Sequence, residues 1–365
     1  MKITIFGLTL SSSWGNGHAT PYRALLRALY SQGHRCVFYE KDVEYYFWRR
    51  DFTACDYCDL VLYPEWDAIR RRAVAEAAES DVVIIGSFCS AGARIADEVL
   101  SLSGPLRVFY DLDTPVTLQK LPSGAVEYLR AEQIPAYDLY LSFTGGNLLS
   151  ELEEVWGAKR ARPLYGCVDP EVYARVPVRP DFQCYLSYMG THSADRQQKL
   201  EQLFLEPARR LPEERFVLAG SLYPPELNWP RNVVRFDHVA PAAHPALYSS
   251  ARATLNITRD GMARSGYCPS GRFFEAAACG TPILTDWWEG LHEFFAPDEI
   301  LTVSSTDDVL AALAMDDREL ARMASRARRR TLAEHTGERR AGELMAYLQE
   351  SLADNRRPHS LEVTS

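Results

Sequence analysis

A short stretch in the C-terminal half, residues 269–282, has the residue types of an anion-binding helix start. Ser270 is suited to cap a helix, and Gly280, which is followed by a proline, is suited to end it. The predicted helix of about two and a half turns would present free backbone N–H groups and the positive end of its dipole. Gly271 would let a phosphate approach the backbone closely. The stretch therefore predicts a phosphate site.

Glu275 is the unusual residue of this stretch, because it lies among phenylalanines and alanines. A buried carboxylate is costly unless it finds hydrogen-bond donors, and the two adjacent hydroxyls of a ribose are such donors. The alternative is a surface carboxylate that pairs with Arg272 one turn earlier, a contact worth about 0.2–0.5 kcal/mol. From the residues alone, nucleotide recognition and a surface ion pair both stay open.

Four arginines are expected near loop ends, three of them close to this helix in the sequence and one just after the strand predicted at residues 184–189. Arginine suits phosphate because its planar guanidinium can donate twice to one group. Each of them alone is more typical of a solvated surface, but the four together favour at least one phosphate contact. They are Arg196, Arg259, Arg264 and Arg272.

A loop in the N-terminal half, residues 15–21, reads Gly-Asn-Gly-His-Ala-Thr-Pro and precedes a predicted helix. Its glycines do not complete a dinucleotide-binding fingerprint, and no acidic residue is well placed for one. His18 would lie at the helix start, where a neutral imidazole can take a proton from a hydroxyl. The alternatives are that His18 contributes to the helix cap or binds a substrate.

Asp111 and Asp113 close a predicted strand at its carboxyl end. Residues at positions i and i+2 of an extended chain point to the same face, so the pair could share a substrate, a base role or a cation. The alternatives are a cap on the following Thr-Pro turn and a salt bridge in the loop. Asp113 is the better candidate for a substrate contact.

The elements that would position these residues alternate between short apolar runs and amphipathic stretches, which predicts an α/β protein with parallel sheets. The first helix has Thr20 as a suitable cap, Pro21 at its first position and Gly33 after its end. Strands are predicted at residues 2–8, 35–40, 82–86, 107–111, 138–143, 162–166, 184–189, 215–219, 233–236, 254–258, 282–285 and 300–303.

No fixed sequence period appears, so this alternation indicates two similar doubly wound domains rather than a repeat array. Their boundary is expected at residues 167–180, where three prolines prevent a helix. A cleft between two such domains would contain the carboxyl ends of both sheets, which is where ligands bind in open α/β folds. The predicted division is a domain over 1–168, a linker over 169–180, a domain over 181–336, a helix over 337–352 that crosses back, and a mobile tail over 353–365.

The net charge, the length of the apolar runs and the cysteines argue against some classes of function for this chain. The chain has 365 residues and a net charge of −9, so long-range attraction to nucleic-acid phosphates is not expected. No apolar run reaches the ~20 residues of a membrane span. Eight scattered cysteines, with Cys55 and Cys58 as the one close pair, favour free thiols in a reducing cytoplasm. A metal or redox role for that pair is the less favoured interpretation, since no second pair stands at zinc-finger spacing.

The 272–282 segment, Arg-Phe-Phe-Glu-Ala-Ala-Ala-Cys-Gly-Thr-Pro, resembles the donor-nucleotide helix of GT-B glycosyltransferases, especially family 4 and the spore-maturation CgeB group. The resemblance extends over most of the chain and is more specific in the C-terminal half. Further segments that carry it are 109–115, 143–146, 168–171, 188–191 with Arg196, 216–220, 255–259, Asp286, 290–291 and 295–300.

The resemblance implies a GT-B architecture, with two Rossmann-like domains that face each other across a cleft. It implies transfer of a sugar from a nucleotide-diphosphate donor, with the diphosphate neutralised by arginines and a helix start rather than by an obligatory metal or other cofactor. The implied donor residues are Ser270, Gly271, Arg272, Glu275, Arg196, Arg259, Arg264, Gly190 and His244. The implied acceptor-side residues are Gly17, Asp111, Thr144 and Gly145, with His18 and Asp113 as catalytic candidates.

One position departs from the family pattern. Family 4 enzymes commonly carry a second glutamate eight positions before the one aligned with Glu275, and this chain has Tyr267 there. Since that glutamate usually contacts the transferred sugar, the sugar and the stereochemical course stay open. The alternatives are a nucleotide-sugar 2-epimerase and a coat-layer protein that binds nucleotide or sugar without catalysis. A cytoplasmic monomer or homodimer is expected, with no nucleic-acid partner and an unknown acceptor.

Overall fold

A computed structural model of the chain describes residues 1–52 and 54–356. Within these residues the strands form two parallel sheets, one in each half of the chain. The first sheet has the order β3-β2-β1-β4-β5-β6-β7 and the second the order β10-β9-β8-β11-β12-β13. Their bounds are β1 Lys2–Gly7, β2 Arg35–Lys41, β3 Asp59–Tyr63, β4 Val82–Gly86, β5 Leu106–Asp111, β6 Leu139–Ser142, β7 Ala161–Pro163, β8 Cys184–Met189, β9 Phe216–Ala219, β10 Val233–Phe236, β11 Ala251–Asn256, β12 Ile283–Thr285 and β13 Leu301–Thr302.

Helices cover both faces of each sheet and connect its strands. The longer and shorter α-helices among the described residues are α1 Ala19–Ser31, α2 Glu44–Phe47, α3 Trp66–Ala78, α4 Gly92–Leu100, α5 Thr114–Lys120, α6 Asn147–Glu154, α7 Gln197–Leu200, α8 Glu206–Arg210, α9 His244–Ser250, α10 Asp260–Ser265, α11 Gly271–Ala278, α12 Leu291–Phe294, α13 Thr306–Leu313, α14 Asp317–Glu334 and α15 Gly337–Arg356. A π-helical turn, Glu201–Leu205, joins α7 to α8, and short 3₁₀ turns occupy several loops.

The predicted α/β fold class is confirmed, and every predicted strand is present within a few residues of its expected bounds. Successive side chains of a strand point to opposite faces of the sheet. Ile3 and Ile5 of β1 therefore pack in the core on one face of the first sheet, and Phe6 packs in the core on the other face. The sequence pattern missed β3. This edge strand is only partly buried, so it lacks the continuous apolar run that identified the central strands.

The start of α1 is a correction. Thr20 was expected to cap this helix, but α1 begins at Ala19, one residue earlier, with His18 in the capping position. The side-chain oxygen of Asn16 accepts hydrogen bonds from the backbone N–H groups of His18 (3.0 Å) and Ala19 (3.2 Å). Asn16 therefore satisfies two N–H groups at the start of α1 from the preceding turn, whereas a capping side chain would accept from N–H groups two or three residues after the cap.

The last helix, α15, lies against α1 of the N-terminal half. Leu344 and Leu348 of α15 are fully buried in the same core cluster as Leu29 of α1. α15 continues to Arg356, so its predicted end at 352 and a tail that starts at 353 are wrong by four residues. The rest of the predicted tail, residues 357–365, lies outside the described residues. The limits 1–168, 169–180 and 181–336 stay predictions.

Two features of the described residues concern membranes and metals. No helix in this part of the chain is long and apolar enough to cross a bilayer. Likewise, no group of three or more His, Cys, Asp or Glu side chains in residues 1–52 and 54–356 is arranged to hold a metal ion.

Candidate active site

The order of strands determines where a site can form. In the first sheet the strand order reverses between β1 and β4, and in the second between β8 and β11. Connections on either side of such a point diverge, which leaves a crevice at the carboxyl ends of the strands. His18 follows β1, and Gly190 and Arg259 follow β8 and β11, so three predicted site residues lie beside these two crevices.

Glu275 lies in a buried polar cluster of the C-terminal half. The Tyr248 hydroxyl donates to its Oε2 (3.3 Å), and Nδ1 of His244 is 3.7 Å from the same oxygen. Burial pushes the pKa of Glu275 upward, but the neighbouring His244, the Tyr173 hydroxyl and the charge of Arg272 hold the pKa below its ordinary value. Glu275 is therefore an ionised, buried carboxylate, and the surface ion pair considered from the sequence is not present.

His244 was expected near the nucleotide base, and the structure shows what it contacts in this protein. Its Nε2 donates to the Val239 carbonyl (2.9 Å), which can only accept, and its Nδ1 lies 3.1 Å from the Tyr173 hydroxyl. His244 thus orients the donors around Glu275. Neither Tyr173 nor Tyr248 was predicted, because both lie far from Glu275 in sequence and carry no local signal.

The start of α11 lies against the end of β8, and Arg272 joins the two. Its Nη1 donates to the Met189 carbonyl and its Nε to the Ser270 hydroxyl (3.1 Å). A Cβ atom on Gly190 would lie 2.7 Å from the Tyr188 hydroxyl and 2.8 Å from Nη1 of Arg272, so both side chains pack closely against the backbone at this glycine. Arg272 makes no ion pair with a carboxylate of the described residues, and the nearest compensating charge that the structure indicates is the buried Glu275, one turn away on α11.

Arg196 approaches the same place from the loop after β8. Its Nη2 donates to the Thr191 carbonyl, and its Nε is buried without a hydrogen-bond partner among the described residues. Burial and the neighbouring guanidinium groups of Arg272 and Arg259 lower the pKa of Arg196. Arg196 and Arg272 therefore form a partly buried cation pair at the helix start, which is an arrangement suited to an anion.

The other two predicted arginines have different environments. Arg259 pairs with Asp195 through a contact of 3.4 Å between Nε and Oδ2, so its charge is partly compensated. Arg264 is exposed near the end of α10 and has no ion pair within the described part of the chain. The structure therefore brings Arg196 and Arg272 together with Arg259 beside them, and it leaves Arg264 on the surface.

In the N-terminal half, His18 and Asp113 are in direct contact although they are 95 positions apart. Nε2 of His18 lies 3.0 Å from Oδ2 of Asp113, and Nδ1 of His18 is buried without a partner among the described residues. The imidazole is nearly buried, whereas 23% of the Asp113 side chain is exposed. Both residues were predicted as catalytic candidates, but their contact was not predicted.

Comparison with known proteins gives the same architecture. Residues 196–346 match the sequence profile of a family described as glycosyl transferase-like. A solved sucrose-phosphate synthase from Thermosynechococcus elongatus matches 97% of this chain and 99% of its own, at 13% identity and a TM-score of 0.68. The fold is GT-B. No curated protein matches the chain in sequence.

Two further solved structures match the GT-B fold of this chain. An alpha-glucosyltransferase in complex with UDP and a 13-mer DNA covers 96% of this chain and 99% of its own, at 13% identity and a TM-score of 0.70. The HepE protein of Anabaena, in complex with UDP and glucose, covers 96% and 100%, at 11% identity and a TM-score of 0.65. Identities this low show a shared fold alone. The CgeB-like subgroup stays a prediction.

Asp111 does not share a face with Asp113 in this GT-B domain, contrary to expectation. It is fully buried and accepts from the Tyr140 hydroxyl (2.7 Å), the Thr117 hydroxyl (3.0 Å) and the Asp113 N–H (3.1 Å). Burial raises the pKa of Asp111 to about 6. The strand ends at Asp111, so the alternation that would align the two side chains stops there. The Asp111 side chain therefore stabilises the turn after β5 and does not face the cleft.

The loop after β6 forms a contact between the two GT-B domains. The Gly145 N–H donates to the Tyr267 carbonyl (3.0 Å), and the Thr144 hydroxyl donates to Sγ of Cys268 (3.2 Å). Gly17 lies in the other predicted acceptor loop and is exposed, with open space around its Cα. Thr144 and Gly145 are therefore occupied by the opposite domain, whereas Gly17 is accessible.

Tyr267, the departure from the family pattern, fills a slot at this domain contact. A Cβ on Gly146 would lie 2.3 Å from the Tyr267 ring, and one on Gly290 would lie 2.4 Å from its other edge. Both glycines have positive φ, and so does Tyr267 itself, with φ +47°. The ring that replaces the expected glutamate is thus held between a glycine of each domain.

Proposed function

We propose that this chain is a glycosyltransferase that transfers a sugar from a nucleotide-diphosphate donor to an acceptor hydroxyl. The C-terminal domain binds the donor, and the His18–Asp113 pair of the N-terminal domain takes the acceptor proton. A membership in the CgeB-like group is part of this proposal.

One observation carries the donor assignment: Arg196 and Arg272 converge on the start of α11, and neither forms an ion pair with a carboxylate in the described part of the chain. Two guanidinium groups near each other repel, so the arrangement costs free energy unless an anion neutralises them. A diphosphate supplies two or more negative charges, and the free N–H groups of α11 add further donors. The glycosyl transferase-like match over residues 196–346 covers all of these residues.

The nucleoside part of the donor is assigned to Glu275. Its carboxylate is ionised and lies one turn inside α11 from the arginine pair. Its side chain keeps 7% of its surface exposed, which leaves a narrow access for a ribose diol. The Tyr248 hydroxyl already donates to one oxygen of Glu275. The hydroxyls of a ribose would supply further donors to the same carboxylate.

The chemical step uses the arginines at the start of α11 for the leaving group and the His18–Asp113 pair for the acceptor. The acceptor oxygen forms a bond to the anomeric carbon while the bond from that carbon to the diphosphate oxygen breaks, and the electron pair leaves with the diphosphate. Arg196, Arg272 and the helix start stabilise the charge that develops there. The acceptor proton passes to the His18–Asp113 pair, whose members share a hydrogen bond.

We also propose that the donor binds without a metal ion, since protein cations supply the neutralising charge, and that no other cofactor takes part. A net charge of −9 supports a small-molecule, glycan or protein acceptor over a nucleic acid. The alpha-glucosyltransferase with the same fold is described in complex with DNA. All eight cysteines are free thiols, which supports a cytoplasmic protein.

Isothermal calorimetry with a panel of nucleoside diphosphates tests the donor site. The wild type should bind at least one nucleoside diphosphate and bind the matching nucleoside much more weakly. Arg272→Met should weaken the diphosphate by about 1.5–3 kcal/mol, the range for hydrogen bonds to charged groups. Arg322→Met is the matched control, since Arg322 is exposed on α14 of the same half. Absence of binding for the whole panel would reject the proposal.

A second assay separates transfer from related activities. Release of nucleoside diphosphate that depends on an added acceptor supports transfer. Donor conversion without an acceptor would indicate an epimerase, and nucleotide binding without turnover would indicate a binding protein.

A further inference from the structure

The loop that carries His18 is anchored by a fully buried carboxylate, Glu40 of β2. Oε2 of Glu40 accepts from the backbone N–H groups of Leu10 (2.7 Å) and Ser11 (2.8 Å). Oε1 accepts from the hydroxyls of Thr9 (3.0 Å) and Ser11 (2.5 Å). A single carboxylate therefore receives four hydrogen bonds from three consecutive residues of the loop after β1.

This carboxylate has no ion pair within residues 1–52 and 54–356. Arg50 reaches it only through the Ser11 hydroxyl, to which it donates at 3.2 Å, and Arg50 is paired with Asp42. Burying a carboxylate without a cation costs more than burying a neutral side chain. The four donors of the loop offset that cost only when the loop keeps this conformation, so Glu40 and the loop conformation depend on each other.

A continuous set of hydrogen bonds leads from this anchor to His18. The Ser12 N–H donates to Thr9 Oγ1 (3.1 Å), so Glu40 and Ser12 share the Thr9 hydroxyl. The Ser12 carbonyl accepts from Nδ2 of Asn16 (3.0 Å), and Oδ1 of Asn16 accepts from the His18 N–H (3.0 Å). The backbone of His18 is thereby tied to Glu40 through Thr9, Ser12 and Asn16.

We propose that Glu40 is a positioning residue for the His18–Asp113 pair, acting through Ser12 and Asn16. The proposal rests on the proposed function in one respect, since the pair matters for turnover only if it takes the acceptor proton. Glu40 does not touch a substrate in this account. Its effect is to keep His18 at the distance from Asp113 that the structure shows.

The test uses Glu40→Gln in the full chain. Glutamine keeps the shape of the side chain but removes its charge, and its NH₂ would replace an oxygen that now accepts two hydrogen bonds. Facing Leu10 and Ser11 it would meet backbone N–H donors, and facing the Thr9 and Ser11 hydroxyls it would require both to turn and accept, so the bonds that hold the loop are weakened in either orientation. Because displacements of about 1 Å can cost about 100-fold in rate, we expect kcat to fall about 10- to 100-fold. The KM for donor and the affinity for nucleoside diphosphate should be unchanged. Glu65→Gln is the control, because Glu65 is exposed and pairs with Lys41 next to Glu40.

A second readout needs no substrate. In ¹⁵N-labelled protein, the ring N–H that His18 shares with Asp113 should give a signal protected from solvent, assigned by its loss in His18→Gln. The signal should remain in Glu65→Gln and disappear in Glu40→Gln. Asn16→Ala, which breaks the same set of hydrogen bonds without altering Glu40, should also lose it, and this variant decides if Glu40→Gln does not fold.

The outcomes separate the two proposals. A folded Glu40→Gln that keeps both the ring signal and wild-type kcat overturns the positioning role. So does a wild type without a protected His18 signal, or a folded Asn16→Ala that keeps the signal. Failure of the wild type to bind any nucleoside diphosphate rejects the proposed function but leaves the ring measurement valid.

Discussion

The two sides of the cleft carry opposite charge imbalances. On the N-terminal side, Glu40 and Asp111 are buried carboxylates without a cationic partner among the described residues, and both lie close behind His18 and Asp113. On the C-terminal side, Arg196 and Arg272 are cations without a carboxylate partner there. Each imbalance is costly in an isolated protein.

This difference separates the roles of the two domains. The N-terminal carboxylates are satisfied by backbone N–H and hydroxyl donors, so they need no ligand and serve to fix a loop and a turn. The C-terminal guanidinium groups are satisfied only in part, by carbonyl oxygens, so an anionic ligand would lower their free energy. Anion binding is therefore assigned to the C-terminal side, whereas the buried carboxylates of the N-terminal side fix the loop and the turn that carry His18 and Asp113.

The largest expected effect comes from the N-terminal side. His18→Gln should lower turnover by about 10²- to 10⁴-fold, the range for loss of a general base. Its affinity for nucleoside diphosphate should stay within twofold of the wild type, because His18 belongs to the other domain. Turnover and calorimetry on the same preparation measure both. His292→Gln, in an exposed histidine of α12, is the control. Unchanged turnover in His18→Gln would assign the proton to Asp113 alone.

Glu275→Gln should change nucleotide affinity, which His18→Gln should leave unchanged. It should weaken nucleoside diphosphate by about 1.5–3 kcal/mol, because a charge-assisted contact to the ribose is lost. The measurement is calorimetry with the ribonucleotide and with its 2′-deoxy analogue. If Glu275 accepts from the diol, the variant should discriminate less between the two than the wild type does. Glu319→Gln, exposed on α14, should match the wild type. Equal discrimination by variant and wild type would remove the ribose assignment.

Asp111 should reveal its structural role through the pH dependence of stability. Burial raises its pKa from 3.8 to about 6, so the native state keeps the proton over a range where the unfolded chain has released it. The stability associated with the protonated group is complete below about pH 4 and is lost as pH rises towards 6. Asp111→Asn avoids that loss. Its free energy of unfolding relative to the wild type should therefore rise by about 2 kcal/mol between pH 4 and 7, as measured by urea denaturation.

Asp138 provides the control with the opposite sign. Burial pushes its pKa upward, but hydrogen bonds from Arg107 and Lys159 hold the pKa below 3.8. Asp138 therefore stabilises the native state at neutral pH, and this contribution declines only as pH falls below about 4. Asp138→Asn should be destabilised at pH 7 and show no rise between pH 4 and 7. A flat difference for Asp111→Asn over the same range would contradict the raised pKa.

The smallest expected effect is that of a chelator. If arginines and the start of α11 neutralise the diphosphate, EDTA should leave nucleoside diphosphate affinity unchanged within error. Calorimetry before and after EDTA, followed by addition of Mg²⁺ or Mn²⁺, makes this measurement. If affinity is lost on chelation and returns when the metal is added, a metal ion is needed to neutralise the diphosphate in addition to the arginines and the start of α11.

The sequence predicted the elements well because their signals are local. Helix α11 begins and ends where Ser270 and Gly280 indicated, and the strand runs of both domains were read from apolar stretches of a few residues. The misplaced start of α1 has a local cause as well. Thr20 is a good cap by type, but Asn16, four positions earlier, accepts from the N–H groups of His18 and Ala19, and the helix begins at Ala19.

What the sequence by itself determined is the GT-B architecture and the residue types that face the cleft: a helix start beside arginines in one half, and a histidine and an aspartate in the other. Only the tertiary structure decided which of these groups meet. It paired His18 with Asp113, turned Asp111 into the interior and compensated Arg259 with Asp195. It left Arg196 and Arg272 without an ion pair to a carboxylate of residues 1–52 and 54–356. The physical reason is that helix and strand signals act over a few residues, whereas contacts between loop ends depend on the order in which strands enter a sheet.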